Sequence, residues 1–127
     1  MRTVRGRVVR GEGMGRKLGF PTANLKLAPS MRAPRGVWRV TVRGTTLGER
    51  EAVCNVGVRP TVGGTRLVVE VHVPGFRGDL YGRVLRVAFV SPLRAEKKFA
   101  SLAALKAQIR RDVAALTRAR PTATLNA

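Results

Sequence analysis

A single cysteine, a single histidine and only seven carboxylates stand among 127 residues, and each scarcity removes a class of chemistry. Cys54 cannot close an intramolecular disulfide, and with His72 as the sole histidine no Cys/His zinc site can be assembled. Neither a Ser-His-Asp nor a Cys-His catalytic set follows from so few groups; Cys54 reads as core and His72 as a packed or exposed bystander. A chain without disulfides suits a reducing, cytoplasmic setting. Aromatic residues, at 5%, are too sparse for a base-stacking platform. No apolar run approaches the length that spans a bilayer, and the N-terminus MRTVRGRVVR has no apolar signal core, so neither membrane insertion nor export is expected. The phosphate-loop pattern GxxxxGK[ST] is absent, and no GxGxxG run opens a helix, because Pro21 and Thr22 would interrupt it.

What is abundant is positive charge. The net charge is +18, carried by twenty arginines and five lysines. The arginines fall singly along almost every element instead of clustering, so nucleic-acid binding is expected only as a weak, non-specific and salt-sensitive side property. An anionic substrate such as ATP is the simpler beneficiary of that field. The stretch from Gly11 to Asn24, GEGMGRKLGFPTAN, concentrates what such a substrate needs. Its four glycines let backbone N–H groups approach a ligand, and Arg16 and Lys17 add charge. Thr22 and Asn24 offer the uncharged oxygens that Mg²⁺ accepts beside phosphate.

The length and the 44% hydrophobic content support one domain, taken as residues 1–120, with residues 121–127 a flexible tail. Thr3 to Arg10 leans to strand and runs into the glycine loop, and Leu25 to Arg35, with two prolines, reads as a connection. GVWRVTVR at Gly36 to Arg43 alternates as a half-exposed strand, Gly44 to Gly48 turns, and Glu51 to Val56 returns to pair with it. Asn55 to Thr61 leaves that strand as a loop, Val62-Gly63-Gly64 turns, and Leu67 to Val73 forms a strand with Val68, Glu70 and His72 on one face. Pro74 to Gly82 is a loop and Arg83 to Val90 the last strand. From Ser101, a good N-cap, the spacing of Leu102, Leu105, Ile109, Val113 and Leu116 predicts a helix. The fold class expected is all-β: a six-stranded antiparallel Greek-key barrel with the C-terminal amphipathic helix packed against it.

With seven carboxylates, acid/base candidates can be sorted one by one. Glu49 and Glu51 flank a hairpin turn, Asp112 lies in the helix, Glu12 in the glycine loop, Asp79 is a turn former, and Glu96 can pair with a neighbouring cation. Glu70 alone sits mid-strand among valines, where an acid is costly unless it faces a wet or functional cavity; the plainer alternative is an edge-facing strand residue.

Seven segments, in order, resemble the motifs of riboflavin kinases (flavokinases): VVRG at Val8 to Gly11, GRKLGFPTAN at Gly15 to Asn24, GVW at Gly36 to Trp38, NVGVRPT at Asn55 to Thr61, VEVH at Val69 to His72, DLYG at Asp79 to Gly82, and LRAEKKF at Leu93 to Phe99. The resemblance covers nearly the whole chain. It implies a six-stranded barrel that transfers the γ-phosphate of ATP to the 5′-hydroxyl of riboflavin, giving FMN and ADP. It implies Glu70 as the catalytic base, Thr22 and Asn24 as Mg²⁺ ligands, and Gly11, Gly15 and Arg16 as the loop over the nucleotide. Leu80 and Tyr81 would border the adenine, or simply form a turn, and Arg94, Lys97, Phe99 and Leu102 would line the flavin pocket. Bacterial relatives of this kind are commonly fused behind an FMN adenylyltransferase domain. None precedes Met1 here, so a stand-alone kinase or an excised module is expected, that domain being at most a fused or separate partner, and FAD synthesis is not credited to this chain. One departure is the lack of an aromatic residue after Thr61, where Val62 stands.

Overall fold

The computed structural model describes residues 2–11 and 19–118. Most of the glycine loop, with Gly15 and Arg16, and the expected tail lie outside the described residues. Six strands run β1 (Thr3–Val9), β2 (Ala23–Leu27), β3 (Gly36–Gly44), β4 (Gly48–Thr61), β5 (Gly64–His72) and β6 (Val84–Arg94), followed by the helix α1 (Leu102–Arg118). They close into a barrel in the order β1-β2-β5-β4-β3-β6, with every pairing antiparallel. The hairpins β3-β4 and β4-β5 are followed by β6 returning to lie beside β3, which is a Greek-key connection.

Alternation of side chains decides the inside. Val4 and Val8 of β1, Leu25 of β2, Val40 and Val42 of β3, Cys54 and Val56 of β4, Val69 and Val71 of β5, and Leu85, Val87 and Phe89 of β6 all point inward and are buried. β-branched valine fits this packed, pleated interior. Trp38 closes one end, its ring edge-on to Phe89 at 5.6 Å. The barrel is therefore full, and any ligand must bind outside it.

Three element bounds differ from expectation. The segment Asn55 to Thr61 is strand, not loop: it continues β4 and pairs with β5 to Thr61↔Gly64. The reversal needs only Val62 and Gly63, the latter at φ +85°, so the hairpin extends to its tip. β2, which spans the end of the glycine stretch and the start of the expected connection, alternates Ala23 and Leu25 inward with Asn24 and Lys26 outward, but over only five residues. β6 passes Pro92 to Arg94 because register shifts against β3 absorb the proline.

On the outside, α1 packs across β4. Val37 and Val53 form a second small cluster with Leu116, joined by Leu93 and Val113. Ser101 caps α1 as expected, its Oγ accepting from the Ala104 N–H at 3.1 Å. The inward stripe is not purely apolar, because Gln108 and Asp112 are buried along with Leu116. Among the described residues no helix is long and apolar enough to cross a membrane.

Two outcomes are expected. Leu85→Ala, which empties a fully buried site, should cost about 2–5 kcal/mol in urea unfolding. The Cys54 thiol is pushed up to about 12, first by burial and then by the charge of Glu70. Because the folded state holds this proton more tightly, the thiol's contribution to stability is complete below its ordinary value of 9.0 and is lost as pH rises toward about 12. The unfolding free energy measured across that window should fall less steeply in Cys54→Ala than in the parent.

Candidate functional site

Antiparallel register brings together residues that are far apart in sequence. Asn24 of β2 stands opposite Glu70 of β5, and Glu70 stands opposite Asn55 of β4. Beyond Asn55 the row continues through Val37 of β3 to Arg94 of β6. Since their strand neighbours point into the core, this row lies on the barrel's outer face, where opposed side chains have Cβ atoms about 4.5–5.5 Å apart.

The row floors a cleft of about 1130 Å³. Leu105 and Ile109 of α1 form one wall, and Lys97 and Phe99 line it from the β6-α1 connection. A smaller recess of about 340 Å³ adjoins it, lined by Phe76, Leu80 and Tyr81. Gly11, Thr22 and Asn24 border both spaces. A Cβ at Gly11 would overlap the Asn24 amide, so glycine is what lets that amide sit against the backbone just past β1. His72 holds the approach to Thr22: its Nδ1–H donates to the Pro21 carbonyl at 2.8 Å, and Phe20 meets its ring edge-on at 5.6 Å. The expected bystander is thus an anchor.

The DLYG segment is fastened on both sides. Asp79 Oδ1 accepts from the Tyr81 N–H at 2.9 Å, the turn-forming role expected of it. The Gly82 N–H donates to the Val8 carbonyl at 2.9 Å, and Arg7 Nη1 donates to the Gly82 carbonyl at 2.7 Å. Leu80 is buried in the barrel core cluster, whereas Tyr81 is half exposed beneath the Arg10 guanidinium, 4.6 Å from its ring centroid.

Glu70 lines the larger cleft with its side chain 28% exposed, and Arg59 Nη2 lies 3.8 Å from its Oε1. The cleft is therefore the wet cavity that a mid-strand acid requires. Beside it, Asn55 Oδ1 is buried with no hydrogen-bond partner. Arg94 and Asp112 turn out to be partners. Arg94 Nε and Nη2 donate to the two Asp112 oxygens at 2.9 and 2.8 Å, and Gln108 Nε2 adds a third bond at 3.0 Å. Arg94 borders the cleft with its charge already matched, while Lys97 Nζ lies 5.5 Å from the Phe99 ring. Leu102 is 56% exposed and does not line the cleft; the helix turns its inward face to the site only from Leu105. Asn55, Arg59, Leu105 and Ile109 also line the cleft, and sequence reasoning does not single them out. Reading NVGVRPT as a strand would have placed Asn55, Gly57 and Arg59 on Glu70's face.

Among the described residues no group of three His, Cys, Asp or Glu could hold a metal ion. Thr22 and Asn24 fit one kind of divalent site only, that in which a hydroxyl and an amide oxygen join phosphate oxygens and water around Mg²⁺.

The family model described as "Flavokinase: Riboflavin kinase" matches residues 2–119. The bifunctional riboflavin kinase/FMN adenylyltransferase of Escherichia coli strain K12 is 48% identical over 111 residues, covering 86% of this chain and 35% of that protein. Riboflavin kinase from Trypanosoma brucei superposes with a TM-score of 0.60 at 28% identity, over 88% of this chain and 74% of that one. A crystal structure named for a macrolide-efflux protein of Streptococcus pneumoniae superposes at 0.85 with 33% identity, over 94% of this chain and 39% of that one. The chain belongs to the riboflavin kinase family, and it spans about a third of the length of the curated relative from E. coli.

The Arg94–Asp112 pair makes a stability statement independent of activity. Asp112→Ala leaves a mostly buried guanidinium without its carboxylate and should lower unfolding free energy by about 3–5 kcal/mol, read by urea titration.

Proposed function

We infer that this member of the riboflavin kinase family transfers the γ-phosphoryl group of ATP to the 5′-hydroxyl of riboflavin, releasing ADP and FMN. The observation that carries the reading is that Thr22 and Asn24, which border both recesses, line the larger cleft together with Glu70, and that Asn24 stands directly opposite Glu70. The nucleotide occupies the smaller recess, with the adenine bordered by Leu80 and Tyr81. By the resemblance, Gly11, Gly15 and Arg16 would cover its phosphates. Riboflavin occupies the larger cleft: Phe99, Leu105 and Ile109 face the apolar ring in place of the expected Leu102, and Lys97 supplies a cation to its polar edge. Arg94 shapes that wall while its charge answers Asp112.

Phosphoryl transfer asks a protein chiefly to position reactants and neutralise charge. Thr22 Oγ1 and Asn24 Oδ1 would hold the Mg²⁺ that arrives with ATP, an ion that would supply positive charge against the phosphates. Glu70 accepts the proton of the 5′-hydroxyl. That oxygen bonds to the γ-phosphorus as the bond to the β-phosphate bridging oxygen breaks, and the electron pair leaves with ADP. The unopposed positive charge of the chain favours arrival of Mg·ATP, and nucleic acid competes for it only weakly and at low salt. The buried free cysteine agrees with a reducing, cytoplasmic setting. An FMN adenylyltransferase domain, fused or separate, is the partner that would take FMN onward.

The purified protein should form FMN from Mg·ATP and riboflavin. Glu70→Gln should lower kcat by about 10²- to 10⁴-fold with little change in KM for ATP. A parent protein that makes no FMN, yet binds RNA with a steep salt dependence, would instead be a binding module.

A further inference from the structure

A chain of charges runs beside the cleft and ends on Glu70. Arg35 Nη2 lies 3.3 Å from Glu96 Oε2; Arg59 Nη1 lies 3.8 Å from Glu96 Oε1; and Arg59 Nη2 lies 3.8 Å from Glu70 Oε1. Arg59 is thus shared between two carboxylates. It engages neither closely, and its Nη1 donates instead to the Val58 carbonyl at 3.3 Å. Glu96 belongs to the β6-α1 connection, between Arg94 and Lys97, and its carboxylate rests on Gly57 of β4. A Cβ there would overlap that carboxylate, so the seat exists because residue 57 has no side chain.

We propose that Glu96 is a positioning residue for the transfer reaction: seated on Gly57 and braced by Arg35, it holds Arg59 back from closing on Glu70. The inference rests on Glu70 being the proton acceptor. An arginine and a carboxylate left to themselves tend to a close, bidentate pair that occupies the carboxylate's lone pairs. Such a pair would leave Glu70 a weaker receiver for the hydroxyl proton. A second carboxylate competing for the same guanidinium keeps the two at 3.8 Å. The same contact ties the flavin-side connection, with Lys97 and Phe99, to the strand beside the base. Filling of the cleft and readiness of Glu70 are thereby coupled through one side chain.

The test is kinetic. Glu96→Gln should lower kcat by about ten- to a hundredfold with KM for ATP unchanged, since only the acceptor's geometry is lost. Adding Arg59→Gln to that background should recover most of the loss, because residue 59 then carries no guanidinium to close on Glu70. Gly57→Ala, which unseats the Glu96 carboxylate without altering any charge, should show the same loss and the same recovery, and it stands in if Glu96→Gln does not fold. A merely structural Glu96 gives the opposite: the double variant is as slow as Glu96→Gln or slower, and that result overturns the proposal. So does a Glu96→Gln enzyme with parental kcat. Glu70→Gln run alongside separates the two levels. If it keeps parental kcat, the base assignment fails; if it is inactive while Arg59→Gln gives no recovery, the role of Glu96 alone fails.

Discussion

A closed barrel whose interior is filled by its own side chains has nowhere inside for a ligand, and this exclusion shapes everything else in the molecule. Valine and leucine, with Phe89 and Cys54, saturate the interior. Chemistry is thereby confined to the outward half of each strand's alternation. A two-residue period along the strand and direct opposition across it turn distant positions into neighbours. Asn24, Glu70 and Asn55 belong to three sequence motifs and to one row. The outer face of a sheet is flat, so a cleft needs a second wall. The helix provides it, docked through Val37, Val53 and Leu116.

Charge is distributed by the same logic of scarcity. Glu12 lies outside the described residues, and the remaining carboxylates each have an assignment. Glu49 meets Arg43, Glu51 meets Arg39, Asp112 meets Arg94, Asp79 holds a turn, and Glu70 and Glu96 divide Arg59. Most of those pairs brace strands or dock the helix. Glu70 differs because it sits mid-strand and faces the cleft, with Arg59 divided between it and Glu96. The excess of arginines over carboxylates leaves a positive field that only an external anion can answer.

Much of this arrangement is legible in the amino-acid sequence alone. The outward exception of Glu70 among valines, the hairpin around Gly44 to Gly48, the cap at Ser101 and the terminal helix follow from period, turn chemistry and the cost of a mid-strand acid. β2 escapes such reasoning because five residues carry barely two inward positions, too little pattern to outweigh two nearby prolines. NVGVRPT resembles a loop because Asn, Gly and Pro are turn formers when taken singly. Tertiary pairing with β5 overrides that local preference. The Arg94–Asp112 pair is illegible for a different reason: no periodicity specifies which cation a buried helix carboxylate will meet across 18 positions.

Asn55 carries a stability cost within the row. Burying a carbonyl oxygen without a donor costs about 1–3 kcal/mol, and a sequence selected for stability alone has simple remedies, such as an apolar residue of similar volume. Asn55 has Glu70 on one side and apolar Val37 on the other, so the unmet acceptor lies at the boundary between the polar half of the row and the half that docks the helix. Two strand positions farther on, Gly57 admits the Glu96 carboxylate where any side chain would block it. Both positions forgo packing on a strand that pairs beside Glu70, receives Glu96 of the β6-α1 connection and packs against the helix. That coincidence separates β4 from β1, whose inward residues Val4 and Val8 only fill the core.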